Sequence, residues 1–275
     1  MPVTIIHCPQ LSYAQERSLS DAFGAEPRQH QEHFRIQGAV SGETLAGLRQ
    51  ELGLDINTLP ENFEASAVRL LITDMDSTLI NIECVDEIAD FIGVKPEVAA
   101  ITEAAMRGEL DFAASLVRRV ALLKGLDVSA LEHVYQERLQ LNPGAEVLLA
   151  GSKQRGIKLA LVSGGFTFFT ERLQQRLGLD YILANELDIE DQKLTGKVRG
   201  EIVGAEAKAE FLKHLCHELG ISPGQAIAMG DGANDLQMLG IAGLGVAYHA
   251  KPRVCAQADV AIQYSGLDAV LDFIS

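Results

Sequence analysis

A pair of aspartates stands at the end of an apolar run in the first third of the chain. In LLITDMDSTLI (residues 70–80), apolar and β-branched residues lead directly to Asp74, and Asp76 follows two positions later. The run predicts a short strand buried on both faces, which would then end in two carboxylates. Neighbouring carboxylates can bind a metal ion, attack as a nucleophile or exchange protons, so this strand end is the first candidate for chemistry.

Two more apolar runs end in polar clusters. IKLALV precedes a Ser-Gly-Gly sequence, and QAIAMG precedes two acids and an amide; these residues are Ser163, Gly164 and Gly165, and Asp231, Asn234 and Asp235. In open parallel sheets, ligands bind beyond the carboxyl ends of the strands. We therefore expect the three clusters to face one cleft.

The residue types in this cleft predict phosphoryl transfer. Asp74, Asp76 and Asp231 would repel one another, and a hard divalent cation such as Mg²⁺ relieves that repulsion while also binding phosphate oxygens. Ser163 offers a hydroxyl, and the glycines after it offer backbone N–H groups at an expected helix start, which suits a phosphate. Lys208, in GAEAKAEF, adds a positive charge. Catalysis of phosphoryl transfer is mostly positioning and charge stabilisation, which this set can supply.

The bulk composition argues against several classes of protein. The chain has 275 residues, of which 47% are hydrophobic and 22% are charged, as in globular proteins with one large or two modest domains. A net charge of -15 argues against binding to nucleic acid or to an anionic membrane. The four cysteines form no CxxC pair. We find no signal peptide and no apolar run of the ~18 residues that a membrane helix needs, so we expect a cytoplasmic protein.

Short apolar runs alternate with helical patterns from Val68 onward. VRLLIT, IKLALVS, QAIAMG, LGVAY and DVAIQY are the strand candidates, and amphipathic segments lie between them. This alternation predicts an α/β fold with a doubly wound parallel sheet. Residues from about 84 to 142 hold helical patterns only, which predicts a helical cap inserted after the first strand of this sheet. LDIEDQKLTGKVRG (187–200) predicts a hairpin.

The first 66 residues form a separate part in this interpretation. VTIIH and HFRIQGAV are strand-like, and SGETLAGLRQELG is helix-like, with Ser41 as its expected N-cap. NTLPENFEAS (57–66) is polar and contains proline, which predicts a linker. We therefore divide the chain into a small N-terminal α/β module of unknown role, residues 1–66, and a core of residues 67–275.

Four motifs, in the expected order, resemble those of the haloacid dehalogenase (HAD) superfamily. DMDSTLI resembles its DxDx[TV] signature, SGG its second motif and GDGAND its last, with Lys208 as the lysine between them. DSTLINIECVDEIA, SLVRRVALLKG, DQKLTG and GDGANDLQML resemble one family within it, the phosphoserine phosphatases. The resemblance covers about residues 68–275, and it implies a HAD-like fold. It also implies Mg²⁺-dependent hydrolysis of O-phospho-L-serine through an aspartyl-phosphate, the last step of serine biosynthesis.

The resemblance implies roles for the reacting residues. Asp74 would be the nucleophile that attacks phosphorus. Asp76 would protonate the leaving seryl oxygen and then act as base for the water that hydrolyses the intermediate. Mg²⁺ would be bound by Asp74, Asp231 and the backbone carbonyl of Asp76. The spacing of the two aspartates requires the backbone to turn just past the strand, because residues i and i+2 of a continuing strand share a face.

The resemblance also implies which residues bind the phosphoryl group. Ser163, Gly164 and Lys208 would contact it directly, with Asn234 nearby. Asp235 would orient Lys208 or a metal-bound water.

Substrate selection would lie with the predicted cap. Glu83 would contact the ammonium group of phosphoserine, and Arg119 its carboxylate, which a guanidinium can bind through two parallel hydrogen bonds. Arg118 is the neighbour, and from the residues alone either arginine could point inward, although the alignment of SLVRRV favours Arg119. Met106 and Phe112 match apolar positions that shield the pocket.

Three other functions fit part of the pattern. A phosphatase of the same fold could act on another small phosphate, such as phosphohomoserine. A non-enzymatic phospho-receiver module also arranges acids, a hydroxyl and a lysine around Mg²⁺, but it lacks the second acid of the DxD pair and the helical insertion. An amino-acid sensor built on the N-terminal module would not need Asp74, Asp76, Lys208 and Asp231 intact. The sequence leaves the oligomeric state open and is compatible with a homodimer.

Overall fold

A small antiparallel sheet comes first in the computed structural model, which describes residues 2–106 and 109–275. Two helices pack on this sheet through Leu19 and Leu48, which share a hydrophobic core with Ile6, Phe34, Ile36 and Ile56. The strands are β1 (Val3–Ile6), β2 (Arg28–His30), β3 (His33–Gln37) and β4 (Ile56–Thr58), in the spatial order β2-β3-β1-β4, and the helices are α1 (Tyr13–Phe23) and α2 (Gly42–Leu52).

Side-chain caps explain where both helices begin. The predicted cap of α2 is confirmed, since the backbone N–H of Thr44 donates to Ser41 Oγ at 3.1 Å. Helix α1 was not predicted. Its start carries a capping box, in which Ser12 accepts from the Gln15 backbone while the Gln15 side chain accepts from the Ser12 backbone. The S-x-x-Q spacing was the signal for this helix, although few apolar residues follow it.

The predicted linker is wrong at its start. Asn57 lies in β4 and is fully buried. Its side chain pairs with the backbone of Ala261, donating to the carbonyl and accepting from the N–H at 2.9 Å each. A polar residue that satisfies buried backbone groups resembles a solvent-exposed linker residue when only its type is known.

The predicted doubly wound sheet is confirmed as a seven-stranded sheet. Every neighbouring pair of its strands is parallel except the last. The strands are β5 (Leu70–Thr73), β6 (Lys158–Phe166), β7 (Tyr181–Glu190), β8 (Lys193–Arg199), β9 (Ala226–Gly230), β10 (Leu244–Tyr248) and β11 (Val260–Ile262), in the order β11-β10-β9-β5-β6-β7-β8. Leu70 and Ile72 enter the hydrophobic core on one face and Leu71 that on the other, which explains the unbroken apolar runs.

Helices lie between these strands, and the stretch between β5 and β6 is helical as predicted. It holds α3 (Cys84–Phe91), α4 (Lys95–Met106), α5 (Phe112–Ala121), α6 (Ser129–His133) and α7 (Ala145–Gln154). The later helices are α8 (Thr167–Leu177), α9 (Ala205–Leu219), α10 (Leu236–Ile241) and α11 (Pro252–Cys255). None of the helices in the described ranges combines the length and apolarity that a membrane span requires.

The predicted hairpin is confirmed as β7 and β8. Asp191 and Gln192 join the strands with φ of 51° and 62°. Two successive left-handed residues give a turn whose twist matches that of the flanking strands.

A buried polar cluster joins the small sheet to the end of the chain. His7 Nδ1 lies 2.9 Å from one carboxylate oxygen of Asp272, and His33 Nδ1 lies 3.2 Å from the other. Arg35 Nε–H donates to His33 Nε2 at 3.0 Å, which leaves the proton of that ring on the nitrogen facing Asp272. Burial alone would raise the pKa of Asp272, but the hydrogen bonds from His33 and His7 outweigh it and lower the pKa below 3.8.

We expect Asp272→Asn to lower the free energy of unfolding by about 1–3 kcal/mol at pH 7, because it removes a charge-assisted acceptor from both rings. Because the pKa of Asp272 is lower in the folded state than in the unfolded state, its ionised form stabilises the fold at pH values above the unfolded pKa of 3.8. This contribution is lost as the pH falls through the folded-state pKa. The difference between the variant and the wild type should therefore shrink below about pH 4. Urea unfolding across pH measures it.

The matched control is Glu210→Gln, which removes an exposed ion pair with Lys213. We expect it to change stability by less than about 0.5 kcal/mol at any pH. A loss in Asp272→Asn no greater than in this control would contradict the assigned contribution.

Candidate active site

The turn after β5 brings both predicted carboxylates to one edge of the large sheet. The Asp74 backbone N–H donates to the Met229 carbonyl of β9 at 2.9 Å, which extends the ladder one residue past the strand. Asp76 is extended, with φ −65° and ψ 133°, and Ser77 is left-handed, with φ 57°. Met75, between the two aspartates, has helical dihedral angles, so the chain turns just past the strand as expected, and it turns again at Ser77.

A buried lysine bridges the first aspartate to the last motif. Lys208 Nζ donates to Asp74 Oδ1 at 2.6 Å and to Asp235 Oδ1 at 2.7 Å, and its side chain is 0% exposed. Lys208 lies in the first turn of helix α9, which begins immediately after Gly204. The predicted orientation of Lys208 by Asp235 agrees with this geometry.

Excess negative charge surrounds this lysine. Burial alone would lower the pKa of Lys208, but the charges of Asp235 and Asp74 outweigh it and raise the pKa. Burial and then the charge of Asp235 raise the pKa of Asp74, while Lys208 opposes them. Burial and the charge of Asp235 likewise raise the pKa of Asp231 to about 6. A cation beside these carboxylates would favour their ionised forms.

The donor set fits such a cation. Asp74, Asp231 and Asp235 each offer an oxygen within 4.8 Å of the others. Asp235 uses both of its oxygens, one for Lys208 and one for the Gly232 N–H at 3.0 Å. Asp74 and Asp231 each keep one oxygen that no hydrogen bond among the described residues occupies. Two carboxylates with free oxygens at a strand edge suit a hard divalent metal ion.

Asp76 differs electrostatically from Asp74. Burial and then the charge of Glu83 raise the pKa of Asp76 to about 8. One oxygen accepts from the Cys84 N–H at 3.3 Å, and the other is buried without a hydrogen-bond partner. A raised pKa favours the protonated form of Asp76, which is the form that a general acid requires.

The Ser-Gly-Gly sequence lies in the strand and not at a helix start, which corrects one detail of the prediction. Strand β6 continues to Phe166 with a shift of register after Val162, and α8 begins only at Thr167. The Gly165 N–H donates to Ser163 Oγ at 2.8 Å. Ser163 is almost fully buried, and its hydroxyl lies against the backbone of the Ser-Gly-Gly segment.

The two glycines allow other groups to approach closely. A Cβ on Gly164 would lie 2.6 Å from the ring of Phe112, and one on Gly165 would lie 3.2 Å from Asp76 Oδ2. Phe112, at the start of α5, therefore packs directly against β6 at Gly164, in a position where an apolar ring could shield the site. The side chain of Met106, the other predicted shield, lies outside the described residues.

Arg119 and Arg118 differ in burial and in the charges around them. Arg118 is exposed, whereas Arg119 is half-buried and interacts electrostatically with Asp86, Glu83 and Asp76. Arg119 Nε is buried without a hydrogen-bond partner. A half-buried guanidinium whose buried Nε has an unused donor, close to Asp76 and Glu83, can bind an anionic group.

The remaining predicted residues, Glu83 and Asn234, each lie against a turn that carries an acidic residue of the site. Glu83 accepts from Ser77 Oγ at 2.7 Å, so it contacts the turn that carries Asp76. Asn234 lies beside Gly232, and a Cβ on that glycine would collide with Asn234 Oδ1.

Two residues that position the site were not predicted. Thr78 Oγ1 donates to Asp231 Oδ1 at 3.2 Å, which links the first and last motifs. Asn142 Nδ2 donates to the carbonyls of Thr78 at 2.8 Å and Ile80 at 3.1 Å. The Asn-Pro-Gly sequence at 142–144 was the available signal, since it ends the helical interval with turn-forming residues.

Comparisons with known proteins agree on one family. A model of haloacid dehalogenase-like hydrolases matches residues 71–240. A phosphoserine phosphatase from a Polaromonas species is 56% identical over 227 residues, which cover 81% of this chain and 96% of that protein.

Solved structures agree as well. An unliganded crystal structure of a probable phosphoserine phosphatase from Vibrio cholerae has a TM-score of 0.85 and 38% identity, and the match covers 99% of this chain and 85% of that one. A phospho-aspartyl intermediate analogue of phosphoserine phosphatase has a TM-score of 0.71 and 42% identity, and the match covers 76% of this chain and 99% of that one.

The matched range contains the whole charged cluster, from Asp74 on β5 to Asp235 before α10. The site geometry and the comparisons therefore concern the same residues. The chain belongs to the haloacid dehalogenase-like hydrolases and, among them, to the phosphoserine phosphatase family.

Proposed function

We propose that this chain hydrolyses O-phospho-L-serine to L-serine and phosphate, the last step of serine biosynthesis. The observation that carries the proposal is the DxD turn, where Asp74 contacts a buried lysine and Asp76, two residues away, keeps one buried oxygen without a hydrogen-bond partner. One turn thus supplies a nucleophile and an acid to the same small volume. The relatives named phosphoserine phosphatase support this choice of substrate.

The first half of the reaction forms a covalent intermediate. A carboxylate oxygen of Asp74 attacks phosphorus, and the bond between phosphorus and the seryl oxygen breaks. Asp76 gives its proton to the departing seryl oxygen, so serine leaves as a neutral hydroxyl. Lys208, Ser163 and the backbone at Gly164 stabilise the charge on the transferring group, with Asn234 nearby.

The second half releases phosphate. Asp76, now ionised, takes a proton from a water molecule as that water attacks the phosphorus of the aspartyl-phosphate. The bond to Asp74 breaks, and Asp74 regains its carboxylate. The starting protonation of Asp76 is restored, so no other acid or base is required.

Mg²⁺ is the proposed metal ion. Asp74, Asp231 and the backbone carbonyl of Asp76 would hold it. When bound, it would neutralise part of the charge on the carboxylates and on the phosphate oxygens. The free oxygens of Asp74 and Asp231 support this assignment, whereas Asp235 is engaged by Lys208 and Gly232.

Substrate selection is proposed for the helical insertion, as a cap over the core. Arg119 would bind the carboxylate of phosphoserine through its unused donors, and Glu83 would accept from the ammonium group. Phe112 would exclude water from the reacting phosphate.

We also propose a division of the chain into an N-terminal module of residues 1–66 and a core of residues 67–275, with a cap at about residues 84–142. A cytoplasmic enzyme is the proposed setting, and light scattering would decide between a monomer and a homodimer.

Asp74→Asn and Asp76→Asn should separate the two halves of the reaction. We expect Asp74→Asn to form no acid-labile phosphoenzyme and to lose about four orders of magnitude in kcat, because it lacks the nucleophile. We expect Asp76→Asn to lose about 10²–10⁴-fold, with hydrolysis of the intermediate slowed more than its formation. Quenched-flow measurement with labelled phosphoserine follows both steps. Equal phosphoenzyme in Asp74→Asn and wild type would refute the assignment of the nucleophile.

Arg119→Lys should weaken phosphoserine binding more than Arg118→Lys does. We expect kcat/KM to fall about 10- to 100-fold for Arg119→Lys, because an ammonium cannot reproduce two parallel hydrogen bonds to a carboxylate. We expect the exposed Arg118→Lys to stay within about twofold of wild type. Steady-state kinetics on phosphoserine and on phosphoethanolamine, which lacks the carboxylate, measures the effect. An equal loss on both substrates would contradict carboxylate binding.

Phosphate release from L-phosphoserine should require a divalent metal. We expect chelation to abolish turnover and Mg²⁺ to restore it, and we expect phosphorylated sugars, nucleotides and phosphohomoserine to react more slowly. A preference for phosphohomoserine would keep the chemistry and change the substrate. Stable phosphorylation without turnover would instead indicate a receiver module.

A further inference from the structure

The N-terminal module is connected to the active site by a series of hydrogen bonds that short backbone segments join. We infer that Asp55 is a positioning residue, which holds the catalytic turn in place through the loop of residues 263–266. The inference rests on the proposed phosphatase reaction for its catalytic readout. It gives the module of residues 1–66 a role in the reaction that no motif within it indicates.

Asp55 binds one loop of the core through three backbone groups. Its Oδ1 accepts from the Gln263 N–H at 2.7 Å, and its Oδ2 accepts from the N–H groups of Tyr264 at 3.0 Å and Ser265 at 2.8 Å. Asp55 is only 1% exposed, and its carbonyl accepts from the His7 N–H at 2.9 Å. A buried carboxylate that accepts three N–H groups fixes the conformation of the loop from which they come.

The same loop is attached to the segment that leads into α7. The Leu267 N–H donates to the Pro143 carbonyl at 2.8 Å. Gly266 lies so close that an added Cβ would stand 2.7 Å from the Pro143 carbonyl oxygen. A displacement of residues 263–266 would therefore be transmitted to Pro143.

Asn142, immediately before Pro143, holds the catalytic turn. Its side chain donates to the carbonyls of Thr78 and Ile80, and its N–H donates to the carbonyl of Leu79 at 3.0 Å. Asp76 lies in this turn, so the path from Asp55 ends at the group that is proposed to exchange protons with the substrate.

A cavity lies beside this path. Ser77, of the turn, and Ser265, of the loop, line one cavity of about 240 Å³. At these two residues the segments do not fill the space between them, so the hydrogen-bonded backbone around the cavity contributes to their spacing. A general acid loses efficiency when it is displaced by an ångström or less, so small shifts along this path should affect the rate.

Asp55→Asn tests the inference with little change in shape. The amide keeps one acceptor oxygen and turns an NH₂ group toward backbone N–H donors, which loosens the loop. We expect kcat for phosphoserine to fall about tenfold while KM stays within about threefold, because the turn is displaced and the substrate contacts of Arg119 are not. We also expect faster amide exchange at residues 75–82.

The matched control is Asp272→Asn, which removes a buried carboxylate from the same junction but not from this loop. Both variants are measured well below their unfolding temperatures, with rates corrected for the folded fraction. We expect the control to keep the kcat and the exchange rates of the wild type at residues 75–82. Equal losses of kcat in the two variants would overturn the inference, since general damage to the junction would then explain them.

Gly266→Ala perturbs the same path from the core and also covers the case in which Asp55→Asn does not fold. We expect it to lower kcat and to speed exchange at residues 75–82 in the same way. Exchange at wild-type rates there would overturn the inference whatever the activity, and faster exchange with unchanged kcat would also overturn it. Failure of the wild type to hydrolyse phosphoserine would refute the proposed function alone, because amide exchange is measured without substrate.

Discussion

The contact of Lys208 with Asp74 and Asp235 is the interaction on which the rest of the site depends. A lysine with no exposed surface is costly in a protein interior unless carboxylates surround it, and removal of one partner leaves an uncompensated charge. The three residues come from β5, α9 and the loop after β9. Their attraction therefore fixes three separate elements at one point on the carboxyl edge of the large sheet. The same attraction explains why Asp235 can lie in the acidic cluster without being a free metal ligand, since the lysine and Gly232 occupy its oxygens.

The division of labour between the two aspartates follows from their surroundings. Asp74 contacts an ammonium group and Asp231 lies close by, so a cation is the natural partner of these carboxylates. Asp76 accepts from the N–H of Cys84 at the start of α3, and burial and the charge of Glu83 raise its pKa to about 8. The helical dihedral angles of Met75, between the two extended aspartates, turn Asp76 out of the strand direction, and the left-handed Ser77 turns the chain again. Asn142 then stabilises the turn by satisfying carbonyl groups that an irregular backbone leaves without ladder partners.

Buried polar side chains attach the small N-terminal sheet to the core. Asn57 pairs with the free edge of β11 through its side-chain amide, and Asp55 binds the loop that follows. The unpaired edge of a sheet can form unwanted hydrogen bonds with other chains. Here a side-chain amide covers part of that edge. Asp272 and the two histidines secure the other end of the contact. These contacts are polar and buried, so they specify one orientation of the module more strictly than an apolar surface would.

Sequence alone determined the parallel sheet, the helical interval after β5 and the cluster of Asp74, Asp76, Ser163, Lys208 and Asp231. It could do so because buried strands leave an unbroken apolar pattern and because the carboxyl ends of parallel strands must share an edge. The conformation of the Ser-Gly-Gly strand, the choice between Arg118 and Arg119, and the roles of Asn57, Thr78 and Asn142 were decided only by the tertiary structure. A polar residue carries the same pattern whether it faces water or satisfies a distant backbone group, and only the packed chain brings its partner within hydrogen-bonding distance.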